Sequence, residues 1–143
     1  MNMNAIRENQ AKVSMKAKEF AAKFYKLIDD TTPEERMRKL ALLYVEDGSV
    51  IYWNGHDSAS AGGPHKLLRL VLALMPPTKH FISAIDAQAL PGCEEADFFM
   101  VAISGKCSYN QEVSRSFFQT LIVRQYEEKH YILEDDFRWT AEH

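Results

Sequence analysis

Cysteine, proline and glycine are scarce in this chain of 143 residues, which holds two, five and six of them. Two cysteines, Cys93 and Cys107, are too few for a disulfide framework, so we expect reduced thiols in an intracellular protein. No Cys/His cluster has the spacing of a zinc site, and we expect neither metal nor cofactor. No apolar run approaches the ~20 residues that cross a bilayer, so we expect no membrane partner.

An excess of basic charge is also missing, since the formal net charge is −3. A chain that binds nucleic acid directly normally carries a basic stripe. Five lysines near the start of the chain have instead the spacing of the solvated side of an amphipathic helix: Lys12, Lys16, Lys18, Lys23 and Lys26. We therefore expect no direct contact with nucleic acid.

Periodic apolar residues in the first half of the chain predict three helices. Apolar side chains recur every three or four residues between Val13 and Ile28, with lysines behind them. Thr32 followed by Pro33 is a strong signal for a new helix start. The predicted helices cover residues 5–30, 33 to about 48, and 67–75. The third is apolar nearly all round, so we expect it to be deeply buried.

The second half predicts a sheet with more apolar surface than the chain can cover. A short strand at 49–53 is followed later by four longer strands, at 80–90, 98–109, 116–126 and 130–139, with turns at 91–95, 110–112 and 127–129 between them. Alternation places Phe117, Leu121 and Val123 on one face and Phe118 and Ile122 on the other. Because both faces are apolar, we expect the chain's helices to cover one and a partner protein the other.

Helices followed by strands with short connections predict an α+β fold with an antiparallel sheet. We expect one domain over residues 1–143, with the helical part at about 5–75 and the main sheet at about 80–139. Strands of about ten residues twist and bend strongly, which suits a sheet curled around its own helices.

The last strand carries the charges that we expect at a partner interface. Alternation places Ile132, Glu134, Asp136 and Arg138 on one face. An Arg138–Asp136 contact within the chain would be worth less than ~1 kcal/mol. If instead a charged pair fixes which partner docks, losing one member would cost ~2–5 kcal/mol. Trp139 either packs within the chain or joins the interface. The candidate partner-binding residues are Phe118, Ile122, Asp136, Arg138 and Trp139.

Signatures of catalysis are missing. The sequence has no nucleophile elbow, phosphate-binding loop or dinucleotide fingerprint. His80 and Asp86 share strand parity and could face one cavity, but they are separated by roughly 20 Å of strand, too far for a catalytic pair. We expect no catalytic residue and no enzymatic activity.

Six short motifs, taken in order, resemble the nuclear transport factor 2 family. They are Trp53-Asn54-Gly55, Met75-Pro76-Pro77, His80-Phe81-Ile82, Asp86-Ala87-Gln88, Phe118-Gln119-Thr120 and Asp135-Asp136-Phe137-Arg138. The resemblance runs from about Ala17 to Trp139. It implies a cone-shaped fold, in which a bent antiparallel sheet wraps around one long and two shorter helices and dimerises through its outer face.

Within that family the chain looks most like the small export-factor branch, the light subunit of the messenger-RNA export receptor. Asn54 stands where the Ran-carrier branch has glutamate, and the segment from Lys106 to Asn110 lacks that branch's carboxylates. The resemblance implies a heterodimer with the related domain of a larger nuclear RNA export factor. It implies contact with nuclear-pore Phe-Gly repeats through that complex, and shuttling between nucleus and cytoplasm. Arg138 would pair with a partner aspartate.

Two alternatives stay open at this point. One is a homodimeric carrier that imports Ran-GDP, which the missing carboxylates disfavour. The other is a small-molecule enzyme or binder that works inside the cone, because this fold also hosts isomerases and dehydratases.

Overall fold

Four helices and two short strands precede the four long strands in the computed structural model, which describes residues 3–72, 75–90, 96–109 and 113–140. Over these residues the helices are α1 (Met3–Asp30), α2 (Pro33–Ala41), α3 (Ser58–Ala61) and α4 (Pro64–Leu72). The strands are β1 (Val50–Trp53), β2 (His56–Asp57), β3 (Thr78–Ala89), β4 (Phe98–Tyr109), β5 (Val113–Tyr126) and β6 (Lys129–Trp139). Cys93 and the turns expected at 91–95 and 110–112 lie outside the described residues. None of the described helices is long and apolar enough to cross a membrane.

The long first helix has the two-sided pattern expected of it. Its apolar stripe is buried from Val13 to Ile28, and four of the five lysines on its other side are exposed. The hydroxyl of Thr32 accepts a hydrogen bond from the Glu35 backbone amide and caps α2. This helix ends at Ala41, earlier than expected, because the chain then forms turns that bring Tyr44 beside β6.

The apolar fourth helix is buried on one side only. Leu67 and Leu68 face the core, whereas Leu70 is 54% exposed, so the expectation of burial all round was wrong for that residue. The helix starts at Pro64, and residues 73–74 of the expected span lie outside the described part.

The strand order across the sheet is β2-β1-β6-β5-β4-β3. The four long strands pair antiparallel, as predicted. β1 pairs parallel to β6, so the sheet is mixed rather than wholly antiparallel. No hairpin joins these two strands in sequence, and therefore no tight turn imposes the antiparallel direction on them.

Two β-bulges change which face a side chain occupies. In β6 the register passes from Ile122–Glu134 to Val123–Ile132, which leaves Leu133 as an extra residue. A bulge inverts the alternation on either side of it. Ile132 is therefore fully buried, and the expectation that it shares a face with Glu134 was wrong.

The second bulge lies in β3, where the register skips Ser83. It turns Asp86 to the face opposite the one that His80 occupies, so these two residues do not face one cavity. Gly105 lies across from this bulge, and a Cβ atom there would stand 2.1 Å from the carbonyl oxygen of Phe81. Only glycine lets the two backbones approach this closely.

The core lies between α1 and the concave side of the sheet, called the inner face below. Phe117, Leu121 and Val123 share one face, as predicted; this face is the inner one, and each of the three is at most 1% exposed. Buried side chains of β4 and α1 complete it, with Phe99, Val101 and Ile103 from the sheet and Phe20, Phe24 and Tyr25 from the helix. The convex side of the sheet, called the outer face, receives Phe118 and Ile122.

Candidate partner interface

The outer face carries three rows of side chains that cross the four long strands. The paired residues are Arg138, Phe118, Ser104 and Ala84 in the first row; Asp136, Thr120, Ala102 and Asp86 in the second; and Glu134, Ile122, Met100 and Gln88 in the third. Within these three rows, β5 and β4 contribute apolar or small side chains, and the charged residues lie on β6 and β3.

Apolar side chains in the middle of the outer face are only partly covered by the described residues of the chain. Phe118 is 42% exposed, and Ile122 and Met100 are only half-buried by their neighbours. At the β3 edge Phe81 is 51% exposed. An antiparallel sheet that faces water on one side normally has polar residues there, and a continuous apolar patch marks an interaction surface.

Arg138 and Asp136, two charged residues of β6, make the contact within the chain that alternation suggested. The Nε atom of Arg138 lies 3.2 Å from Oδ1 of Asp136. Arg138 is 62% exposed and Asp136 is 35% exposed, so the pair adds less than ~1 kcal/mol to stability. The contact uses one of the guanidinium's five N–H donors, and the others are available to a second carboxylate.

Trp139 lies on the opposite side of the sheet from the other four candidate residues. Its ring contacts Phe137, with centroids 5.0 Å apart, and Tyr109, at 5.9 Å. The Arg115 guanidinium stacks 4.9 Å from its centroid. The structure therefore brings Phe118, Ile122, Asp136 and Arg138 together on the outer face and places Trp139 at the mouth of the cone.

Inside the cone lies a cavity of about 60 Å³ lined mainly by apolar side chains. A wider pocket of about 400 Å³ opens at the mouth, between Trp53, Leu70 and Tyr109. Leu70, which is exposed on α4, thus forms part of the rim.

A buried polar network crosses the floor of the cone and was not foreseen from the sequence. Tyr44 donates to one oxygen of Asp135 at 2.7 Å, and Gln119 donates to the other at 2.8 Å. Tyr25 in turn donates to Gln119 at 2.6 Å. Burial raises the pKa of Asp135 to about 6. Burial, together with the charge of Asp135, also raises the pKa of both tyrosines, so they remain hydrogen-bond donors.

This network has the composition of a catalytic site, and its groups bond to one another. Both carboxylate oxygens of Asp135 already accept hydrogen bonds from within the chain. The one available sign in the sequence was Gln119, an isolated polar residue between Phe117 and Leu121 on the inner face. Its partner could not be named, because Asp135 belongs to a different strand.

His80 belongs to a second structural cluster at the end of α1. Its Nδ1 lies 2.6 Å from an oxygen of Asp29, and its backbone amide donates to the other oxygen at 2.8 Å. Thr78 also donates to Asp29, at 2.8 Å. Burial acts to raise the pKa of Asp29, but these hydrogen bonds outweigh it and lower the pKa. The cluster ties β3 to α1.

Asn54 has a structural function in the turn after β1. Its φ of 49° lies in the left-handed region that asparagine tolerates. Its side-chain oxygen accepts a hydrogen bond from the Trp139 amide at 2.9 Å, and its own amide donates to the Phe137 carbonyl at 2.8 Å. Asn54 thereby fastens the turn after β1 to the end of β6.

Comparison with known proteins identifies the family of this cone. Residues 16–139 match the nuclear transport factor 2 (NTF2) domain, which is most of the chain. The chain belongs to the nuclear transport factor 2 family. An NTF2-related export protein of Caenorhabditis elegans is 25% identical over 137 residues, which cover 94% of this chain and 93% of that relative.

Two solved structures share the NTF2 fold of the chain. Mtr2 of Candida albicans aligns with a TM-score of 0.72 and 16% identity, over 90% of this chain and 96% of that one. A chain of the C. albicans Mtr2–Mex67 M domain complex aligns with a TM-score of 0.68 and 16% identity, over 86% and 93%. The cone-shaped α+β fold implied by the sequence motifs is therefore confirmed, with one additional short helix, α3.

Proposed function

We propose that this NTF2-family chain is a non-enzymatic subunit that heterodimerises with the related domain of a larger nuclear RNA export factor. The pair would support messenger-RNA export through the nuclear pore, meeting Phe-Gly repeats as a complex and moving between nucleus and cytoplasm. The observation that carries the proposal is the uncovered apolar centre of the outer face, where Phe118 is 42% exposed. A partner of similar shape would remove that surface from water.

The NTF2 relatives supply the kind of partner. The C. elegans relative is an export protein, and Mtr2 occurs in a complex with the M domain of Mex67. The charges at the β6 edge would then orient the docked partner, since Arg138 keeps N–H donors for a carboxylate across the interface. Burial of the apolar centre provides most of the affinity, and the charges provide the register.

The interior and the mouth of the cone disfavour both alternative functions. An enzyme inside the cone would need a general base that points into the pocket, and the buried carboxylate there, that of Asp135, already accepts hydrogen bonds at both oxygens. A Ran-GDP carrier would present carboxylates at the mouth, where this chain has Asn54 with its side-chain oxygen bonded to Trp139.

The proposal is tested by affinity purification of the tagged chain from extracts of its own cells, with Arg138→Glu beside it. The control is Arg38→Glu, which reverses an exposed charge on α2, away from the outer face. We expect one larger protein in near-equal amount with the wild-type chain and the control, and its loss with Arg138→Glu. Calorimetry with the recombinant partner should show a decrease in affinity of about 2 kcal/mol or more.

Other outcomes would contradict this function. Recovery of Ran would favour the import carrier, and recovery of the chain alone would favour a homodimer or a cone enzyme. If Arg138→Glu bound the partner with unchanged affinity, the charged residues of β6 would not be part of the interface. Arg138 is mostly exposed, so a changed unfolding midpoint is not expected and would signal an altered fold.

A further inference from the structure

Asp86 stands on the outer face at the edge opposite the charges of β6. It is exposed, and its row of paired residues runs through Ala102 and Thr120 to Asp136. The bulge at Ser83 is what turns its side chain to this face. The outer face therefore has a carboxylate at each end of its middle row.

The two carboxylates differ in how they are neutralised. Asp136 is paired with Arg138 at 3.2 Å. Within the described residues Asp86 makes no ion pair, and its paired residue Ala102 offers neither charge nor hydrogen bond from its side chain. The residues two positions before and after it along β3, Ala84 and Gln88, are uncharged. Among the described residues, Asp86 is thus an exposed carboxylate without an ion-pair partner beside an apolar surface.

A partner that covers the apolar centre must also cover Asp86. Four strands at ~4.8 Å spacing span about 14 Å, and residues four apart along a strand span a similar distance. The three rows therefore occupy about 14 Å by 14 Å, or about 200 Å². A stable interface buries about 800 Å² on each partner. The carboxylate consequently loses its water when the partner docks.

We propose that Asp86 is a specificity residue of the interface, and that the partner places an arginine or lysine against it. This inference rests on the proposed function, since it names the chemistry of the partner at that same face. A carboxylate covered by apolar surface without a cation is strongly disfavoured. A domain of similar shape that is apolar or acidic at this point is rejected, and one that is cationic there is selected.

The experiment measures binding of the recombinant NTF2-like domain of the larger export factor from the same organism. Wild-type chain, Asp86→Asn and Asp86→Lys are compared by calorimetry at 0.1 M and 0.5 M salt, with Asp47→Asn as a matched control. Asp47 is exposed in the turn before β1 and lies off the outer face. We expect affinity to fall about tenfold or more with Asp86→Asn, further with Asp86→Lys, and not at all with the control.

Salt separates a covered ion pair from long-range attraction. The Debye length is about 10 Å at 0.1 M salt and far shorter at 0.5 M, so an effect that persists at high salt indicates direct pairing. If Asp86→Asn binds the partner as tightly as the wild type does, or more weakly only at low salt, the inference is overturned while the proposed function stands. Absence of wild-type binding overturns the proposed function and the inference with it. Unchanged unfolding midpoints show that the variants remain folded.

Discussion

Replacing the buried carboxylate of Asp135 with an amide should make the protein more stable at neutral pH. Asp135 is 4% exposed, and burial raises its pKa from the ordinary 3.8 to about 6. In Asp135→Asn the carbonyl can accept from Gln119, while the amide group donates to the hydroxyl of Tyr44, which can turn to accept. The shape and both hydrogen bonds of the network are retained, and the buried charge is removed.

The sign and size of the effect follow from linkage. A raised pKa means that the folded state binds the proton more tightly, so Asp135 contributes full stability below pH 3.8 and loses it as the pH rises through about 6. A rise of about 2 in the pKa corresponds to about 3 kcal/mol, since each pH unit is worth about 1.4 kcal/mol. About 2 kcal/mol of this total falls between pH 4.5 and pH 8.

The assay is urea denaturation of the wild type and Asp135→Asn at half-unit steps over that range. The quantity compared is the free energy of unfolding of the variant minus that of the wild type. We expect this difference to increase by about 2 kcal/mol from pH 4.5 to pH 8. Asp29→Asn is the contrast, because a lowered pKa confines its pH dependence to below about 4. A difference that stays constant for Asp135→Asn would refute the reasoning.

Two further substitutions test how the sheet is bent and closed. Gly105→Ala should lower the free energy of unfolding by about 3 kcal/mol or more, because its Cβ would stand 2.1 Å from a backbone oxygen. Gly48→Ala is the control and should change the free energy of unfolding little, because its Cβ meets nothing closer than 3.5 Å. Equal effects of the two substitutions in thermal denaturation would exclude this explanation. Asn54→Ala should cost about 1 kcal/mol through the lost bond to the Trp139 amide and its left-handed φ. Asn54→Gly restores only the backbone freedom, so it should recover part of that stability; full recovery would mean that the hydrogen bond is unimportant.

The regular elements of this fold were predictable because their signals are periodic. The buried stripe of α1 and the two faces of β5 follow from spacing over many residues, so a local error changes little. The separation of Phe117 and Phe118 onto opposite faces of the sheet was therefore correct, although the spacing did not decide which face is the core. The uncovered outer face, and with it the expectation of a partner, came from the same signal.

The features that sequence reasoning missed depend on single residues or on distant pairing. Ser83 and Leu133 are ordinary strand residues, and nothing local marks them as bulges. Each one nevertheless inverts the faces beyond it, which moved Ile132 into the core and Asp86 to the outer face. The network of Asp135 required the sheet register and the position of the helices together, so no spacing in the sequence could reveal it.

The pairing of β1 with β6 sets the time at which the protein can fold on the ribosome. Val50–Trp53 pairs with the stretch from Glu134 to Phe137, so the two partners are made 84 residues apart. At about 5–20 residues per second, β6 follows β1 by about 4–17 s. Until β6 has been made, β1 and β5 lack the strand that lies between them in the sheet, and the apolar face of α1 is only partly covered. Assembly through the outer face must therefore wait until synthesis has passed β6, and the nascent chain must be kept from aggregating until then.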